Sequence, residues 1–143
     1  MTVDTADLII RAASSLFARH SYANVTLEQI AGEIGMVPGA VYYHFRNKED
    51  LIFRCFLHGL QIYQEEMDAA SEPGIDGLEV IRRLFRGRLH PESIRMILFT
   101  DIDALPDEFR DIVHKRRWQN AMKLADIVRA GTADGSIAQC EPE

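Results

Sequence analysis

Tyr42, Tyr43, His44, Arg46, Asn47 and Lys48 crowd hydroxyl, imidazole, amide and cationic donors into seven positions, interrupted only by Phe45. Such a run does not read as a core stripe. Its donors suit oxygen-rich partners such as phosphate and sugar, and Arg46 and Lys48 read equally as ordinary solvated charges. Catalytic groupings are missing. The five histidines, His20, His44, His58, His90 and His114, have no zinc-ligand spacing among themselves or with Cys55 and Cys140. There is no phosphate-cradling glycine loop, and no serine or cysteine has an evident base. Asp101 and Asp103 are two residues apart and so do not face each other on a helix. The chain reads as a non-enzyme, with no metal and no cofactor implied.

Positioning that run requires a particular pair of helices. Leu27, Ile30, Ala31 and Ile34 fall at i, i+3, i+4 and i+7, one apolar face of a short helix. Thr26 and Gln29 form a capping-box pattern at its start, and Gly35 supplies the left-handed residue that ends it. Met36 plugs the turn. Pro38 opens a second helix at the position where proline loses no hydrogen bond, with Val41 and Phe45 inward. Ala31 is small where two short helices must cross closely. Thr26 to Phe45 (TLEQIAGEIGMVPGAVYYHF) therefore lies on a helix-turn-helix almost position by position. Its first helix alone suits any helical hairpin; the polar run on the second favours DNA.

With Thr26, Ile30, Ala31, Gly35, Gly39, Tyr42, His44, Phe45, Lys48, Glu49 and Leu51 in register, the segment resembles the amino-terminal signature of the TetR family of bacterial transcriptional regulators. The likeness extends back over an amphipathic first helix with Ile9, Ala12, Ala13, Leu16 and Phe17 as its stripe, ended by His20, Ser21 and Tyr22. It covers roughly the first third of the chain, the rest resembling the family only in layout. The resemblance implies an all-α fold with a three-helix DNA-binding domain over 1–47 and a helical ligand-binding and dimerisation domain over 48–143.

By the same resemblance the second helix of the motif enters the major groove. Tyr42, His44 and Lys48 would then grip phosphate or sugar, with Thr26 adding its hydroxyl or the amides beside it. Lys48 is the expected electrostatic anchor. Tyr42 reads equally as a brace between the two helices, and His44 as an exposed helix-end histidine. Base reading falls to Val37, Pro38, Gly39, Ala40 and Tyr43. None can make the bidentate contacts that pick out guanine or adenine, so thymine-methyl contact and DNA shape are expected to contribute. Val37 departs from the family pattern, since it cannot cap the helix that follows.

The chain has 143 residues, 47% of them hydrophobic, enough to bury a core. No apolar run approaches a membrane span and the start lacks a signal-peptide pattern, so a cytoplasmic protein is expected. The net charge of −6 argues against nucleic acid, but residues 1–60 hold five basic and six acidic groups while residues 61–143 hold eleven and sixteen. The acidity is mostly outside the motif, and affinity should rest on placed contacts and on two copies of the motif.

Beyond the motif, periodicity predicts a long helix from Lys48 to Ala70 with Leu51, Ile52, Cys55, Phe56, Ile62, Tyr63 and Met67 inward, then a turn at Ser71–Gly74. Further helices are expected over 75–89, with Leu78, Ile81, Leu84 and Phe85 on one face, over 92–105, and over 107–130, stopped by Gly131. Phe56, Met67, Phe85, Met96, Phe99, Trp118 and Met122 could line an inducer cavity, though such stripes are more often plain core. HKRRW at 114–118 reads best as a solvated face. The family likeness implies a homodimer on a palindromic DNA operator, released when a small-molecule inducer shifts the population of conformations. It also implies two final helices after GTADGSI (131–137) that pack against the twin. Only AQCEPE follows, so we expect the domain to lack that pair, either as a shortened product or with a dimer built differently, for example through the helices over 92–105 and 107–130. The competing reading is a ligand-binding or protein-interaction module that has lost specific DNA binding.

Overall fold

The computed structural model describes residues 4–88 and 102–138. Among them are six α-helices and no strand: α1 (Thr5–Arg19), α2 (Leu27–Glu33), α3 (Pro38–His44), α4 (Lys48–Ala70), α5 (Gly77–Arg88) and α6 (Asp107–Asp134), with 3-10 turns at Tyr22–Asn24 and Ile102–Ala104. The all-α expectation is met. The described residues form two compact units, 4–59 with 102–114, and 60–88 with 115–138. The division falls inside α4, twelve residues beyond the boundary expected after residue 47.

The first unit builds its core from α1 (Ile9, Ala13, Phe17), α2 (Leu27, Ile30, Ala31), α3 (Val41), Phe45 and the first turns of α4 (Leu51, Ile52, Cys55, Phe56), all buried. Each helix start is chemically marked. Asp4 accepts from the Ala6 amide at 3.2 Å. Thr26 Oγ1 accepts from the Gln29 amide at 3.2 Å while Gln29 Oε1 accepts from the Thr26 amide at 2.8 Å, closing the expected capping box. Asn47 Oδ1 accepts from the Asp50 amide at 2.8 Å, and Asp50 Oδ2 accepts from the Arg46 amide at 3.1 Å, two bonds that together fix where α4 begins. Gly35 takes a φ of 67° and ends α2 as expected. Phe53 of α4 stacks on Phe109 of α6 with ring centroids 4.3 Å apart.

Met67 and Ala70 of α4 and Val80 and Leu84 of α5 are the buried core of the second unit, with Tyr63, Ile75, Leu124 and Ile127 packed against them. Buried Asn120 donates to the Leu60 carbonyl at 2.9 Å, which satisfies an otherwise costly amide. Two expectations are corrected here. α6 does not stop at Gly131; it runs on to Asp134 and ends at Gly135, whose φ is 81°. Gly131 is buried against Gly77, where the chains approach too closely for a side chain. α5 starts two residues later than expected and turns Val80 and Leu84 inward, which leaves Phe85 62% exposed. The helix expected over 92–105 lies outside the described residues except at its end, where Ile102–Ala104 form a 3-10 turn.

Candidate nucleic-acid interface

α3 is only seven residues long and holds its place through its neighbours. Val41 is fully buried and Phe45, just past the helix, nearly so, and these anchor one side against the first unit's core. Pro38 stands at the first helical position and no side chain caps the helix, as the valine at Val37 implies. The proline ring fixes the helical φ at that point, so the helix starts without the missing hydroxyl.

The opposite side of α3 faces outward. Val37 is 72% and Tyr43 85% exposed. Pro38 and Gly39 are exposed as well, Ala40 is half-buried, and a side chain added at Gly39 would meet nothing within 4 Å. A surface this bare lets another backbone come close. Tyr43 meets His44 edge to face with ring centroids 5.2 Å apart, and half-buried His44 leans on Phe45.

Tyr42 donates its hydroxyl to Glu28 of α2 at 3.1 Å and is half exposed. It therefore braces the two helices and still shows its edge to solvent, so both sequence readings describe the same side chain. Glu28 was not singled out by sequence reasoning. The only signal for it was an acidic residue in the first turn of α2, which also suits the helix dipole. Its carboxyl is held below the ordinary value, mainly by a backbone hydrogen bond and then by Thr26 and Tyr42. The Tyr42 hydroxyl is pushed up by its bond to that carboxylate.

Lys48 is half-buried at the start of α4. Its ammonium donates to the Tyr22 carbonyl and lies over the Tyr22 ring, 4.1 Å from the centroid. Tyr22 also donates to Glu49 at 3.4 Å. The expected anchor is thus held in a fixed direction by the 3-10 turn after α1, a positioning that no spacing of 26 residues could reveal. Thr26 is exposed, with its hydroxyl engaged in the capping box. Thr26, Tyr42, Tyr43, His44 and Lys48 all belong to the first unit.

A short helix with an apolar, open outer face, flanked by tyrosines, a histidine and a fixed lysine, offers groove contact and donors to an anionic backbone. Residues 9–55 match the family model described as bacterial regulatory proteins, tetR family. These residues form a TetR-family amino-terminal domain.

It is 29% identical over 142 residues to the HTH-type transcriptional repressor KstR2 of Mycolicibacterium smegmatis, a match covering 92% of this chain and 66% of that protein. It is 25% identical to the uncharacterized HTH-type transcriptional regulator YhgD of Bacillus subtilis, covering all of this chain and 77% of the relative. Among solved structures, a bacterial regulatory protein in the tetR family from Rhodococcus RHA1 superposes with a TM-score of 0.77 at 24% identity, over 98% of this chain and 76% of that one. AibR, solved with isovaleryl coenzyme A and operator DNA, gives a TM-score of 0.75 at 21% identity, over 96% and 77%. Both likenesses show a shared fold. The chain spans about two thirds to three quarters of the length of these relatives.

The residues proposed from sequence to line an inducer cavity are dispersed. Phe56 is fully buried in the first unit's core and Met67 in the second's. Phe85, Trp118 and Met122 are exposed, because α5 and α6 turn other residues inward, and Met96 and Phe99 lie outside the described residues. A groove of about 350 Å³ in the second unit is lined instead by Ile75, Val80, Lys123, Ile127 and their neighbours. Among the described residues no group of His, Cys, Asp or Glu could hold a metal ion. No helix among them is long and apolar enough to cross a membrane.

Proposed function

We propose that this TetR-family chain is a DNA-binding transcriptional regulator, a repressor, that places α3 in the major groove of a palindromic operator as one half of a homodimer. The observation that carries the reading is the two-sidedness of α3: Val41 is closed into the core while Val37 and Tyr43 stand open on the other side. Val37, Pro38, Gly39, Ala40 and Tyr43 would meet base edges, chiefly thymine methyls, and Thr26, Tyr42, His44 and Lys48 the phosphates. The first sixty residues are net −1, so specific binding would depend on two half-sites held together.

A small molecule held by the helical second part would release the operator by favouring conformations whose two α3 helices no longer match successive grooves. The repressor KstR2 and the ligand- and operator-bound AibR support this reading by likeness. The absence of Arg, Asn and Gln from the outer face of α3 favours the alternative, a module that binds ligand or protein without reading DNA.

Fluorescence anisotropy of the chain against tiled DNA from upstream of its own gene, titrated with salt, separates the two. Salt-sensitive, tile-specific binding that Tyr43→Ala and Lys48→Ala both abolish, with the helical circular dichroism unchanged, supports the regulator. Equal, weak binding to every tile overturns it.

A further inference from the structure

The outer side of α3 is rich in open surface and poor in hydrogen-bonding side chains. Val37 is 72% and Tyr43 85% exposed, Pro38 and Gly39 are exposed, and Ala40 is half-buried. Among these residues only Tyr43 has a side-chain donor or acceptor, its hydroxyl. Val37 gives the helix start no side-chain hydrogen bond, so its isopropyl group is left to meet whatever the helix docks on. The space beside Gly39 is open for 4 Å around an added Cβ.

In the major groove, base pairs differ in their hydrogen-bonding groups and in the C5-methyl of thymine. An aliphatic surface leaves the thymine O4 and the cytosine N4 amino group equally without a partner, so it separates the two poorly. It responds to the methyl, whose burial removes apolar surface from water. That methyl is not confined to thymine, because 5-methylcytosine carries the same group on the same carbon.

Resting on the DNA-binding reading above, we propose that α3 recognises a pyrimidine C5-methyl group rather than the base that bears it. 5-Methylcytosine paired with guanine then replaces thymine paired with adenine, and cytosine methylation strengthens binding of this protein. Val37 and Tyr43 are the readers. Six positions apart in sequence, they are separated by about 9 Å along the helix, the span of two to three base-pair steps of ~3.4 Å. Each half-site therefore presents methyls at two places that far apart. The Tyr43 ring is braced edge to face by half-buried His44, with centroids 5.2 Å apart. Tyr43 also brings a hydroxyl, so the position under Val37 is the one where the methyl acts alone.

The test uses the full chain and the upstream tile that it binds best, resynthesised with deoxyuridine at each thymine in turn. That change removes the methyl and keeps the pairing. At each sensitive position, cytosine–guanine and 5-methylcytosine–guanine pairs are then compared. We expect deoxyuridine to weaken binding about three- to fivefold per methyl, cytosine to weaken it at least as much, and 5-methylcytosine to recover most of the loss. Val37→Ala should abolish the difference between thymine and deoxyuridine at one position of each half-site. It should leave the salt dependence unchanged, since phosphate contacts set that. Circular dichroism checks that this exposed variant stays folded. Undiminished binding to deoxyuridine DNA, or binding to 5-methylcytosine no tighter than to cytosine, overturns the inference and leaves the regulator reading standing. If no tile binds specifically, the regulator reading falls and this inference with it.

Discussion

Gly77, at the start of α5, packs directly on Gly131 of α6: a Cβ at Gly77 would lie 2.3 Å from the Gly131 Cα and 2.5 Å from its nitrogen. Both obstacles are backbone and cannot rotate away. Gly77→Ala should therefore destabilise the second unit by roughly 1–3 kcal/mol. A Cβ at Gly131 meets first the flexible end of Ile137, at 2.5 Å, and gains helix propensity. Urea denaturation should rank Gly77→Ala as clearly the more damaging of the two.

Asp134 ties the same crossing together by accepting from the Gly77 amide at 3.0 Å, while Ser136 Oγ accepts from that of Leu78 at 3.1 Å. The Asp134 carboxyl is held below its ordinary value of 3.8, first by the Ser136 hydroxyl and then by the Gly77 and Ser136 amides. Folding therefore weakens its hold on a proton. The resulting stability is complete above the unfolded value and is lost as pH falls through the folded one. Thermal melts between pH 7 and pH 2 should show a loss setting in below about pH 4, and Asp134→Asn should make that part of the profile flatter.

Cys55 is buried, its thiol donates to the Ile10 carbonyl at 3.7 Å, and burial pushes its pKa up to about 12, opposed in part by the nearby Ser14 hydroxyl. The thiolate is the reactive form. In a Cys140→Ser background, Cys55 should resist a disulfide reagent at pH 8 until denaturant is added. Rapid labelling of the folded protein would contradict the packing described.

Glu28 places a negative charge beside the face proposed to meet phosphate. Glu28→Gln keeps an oxygen for the Tyr42 hydroxyl and removes the charge. DNA affinity at low salt should rise about two- to fivefold, and the gain should shrink as salt screens the surface. Because the carboxyl is held low, mild acidification should not imitate the substitution. Anisotropy titrations at two salt concentrations and two pH values check both statements.

Local chemistry was legible in the sequence wherever the signal and its cause lay within a turn or two. Thr26 with Gln29, Gly35, Pro38 and the bounds of α4 at Lys48 and Ala70 were all readable in this way. Gly131 misled because a glycine after a periodic run looks like a stop, and its actual reason, Gly77, lies 54 residues away. Phe85 misled because α5 carries apolar residues on more than one face, and only its partners decide that Val80 and Leu84 go in. The groups positioning the site, Glu28 under Tyr42 and Tyr22 under Lys48, are tertiary contacts over 14 and 26 residues. No spacing rule reports them.

α4 completes one core with Leu51, Ile52, Cys55 and Phe56 and, on the same uninterrupted helix, another with Met67 and Ala70. A gene fusion that exchanged the regulatory half between relatives at the short connection before Lys48 would take away part of the first unit's own interior. A single crossover within α4, near residues 59 and 60, would not keep both interiors native either, because residues 102–114, with the Phe109 that stacks on Phe53, return to the first unit. Modularity in this protein therefore runs through helices rather than a linker, and a graft would have to bring residues 102–114 with the first unit and match helical phase as well as sequence.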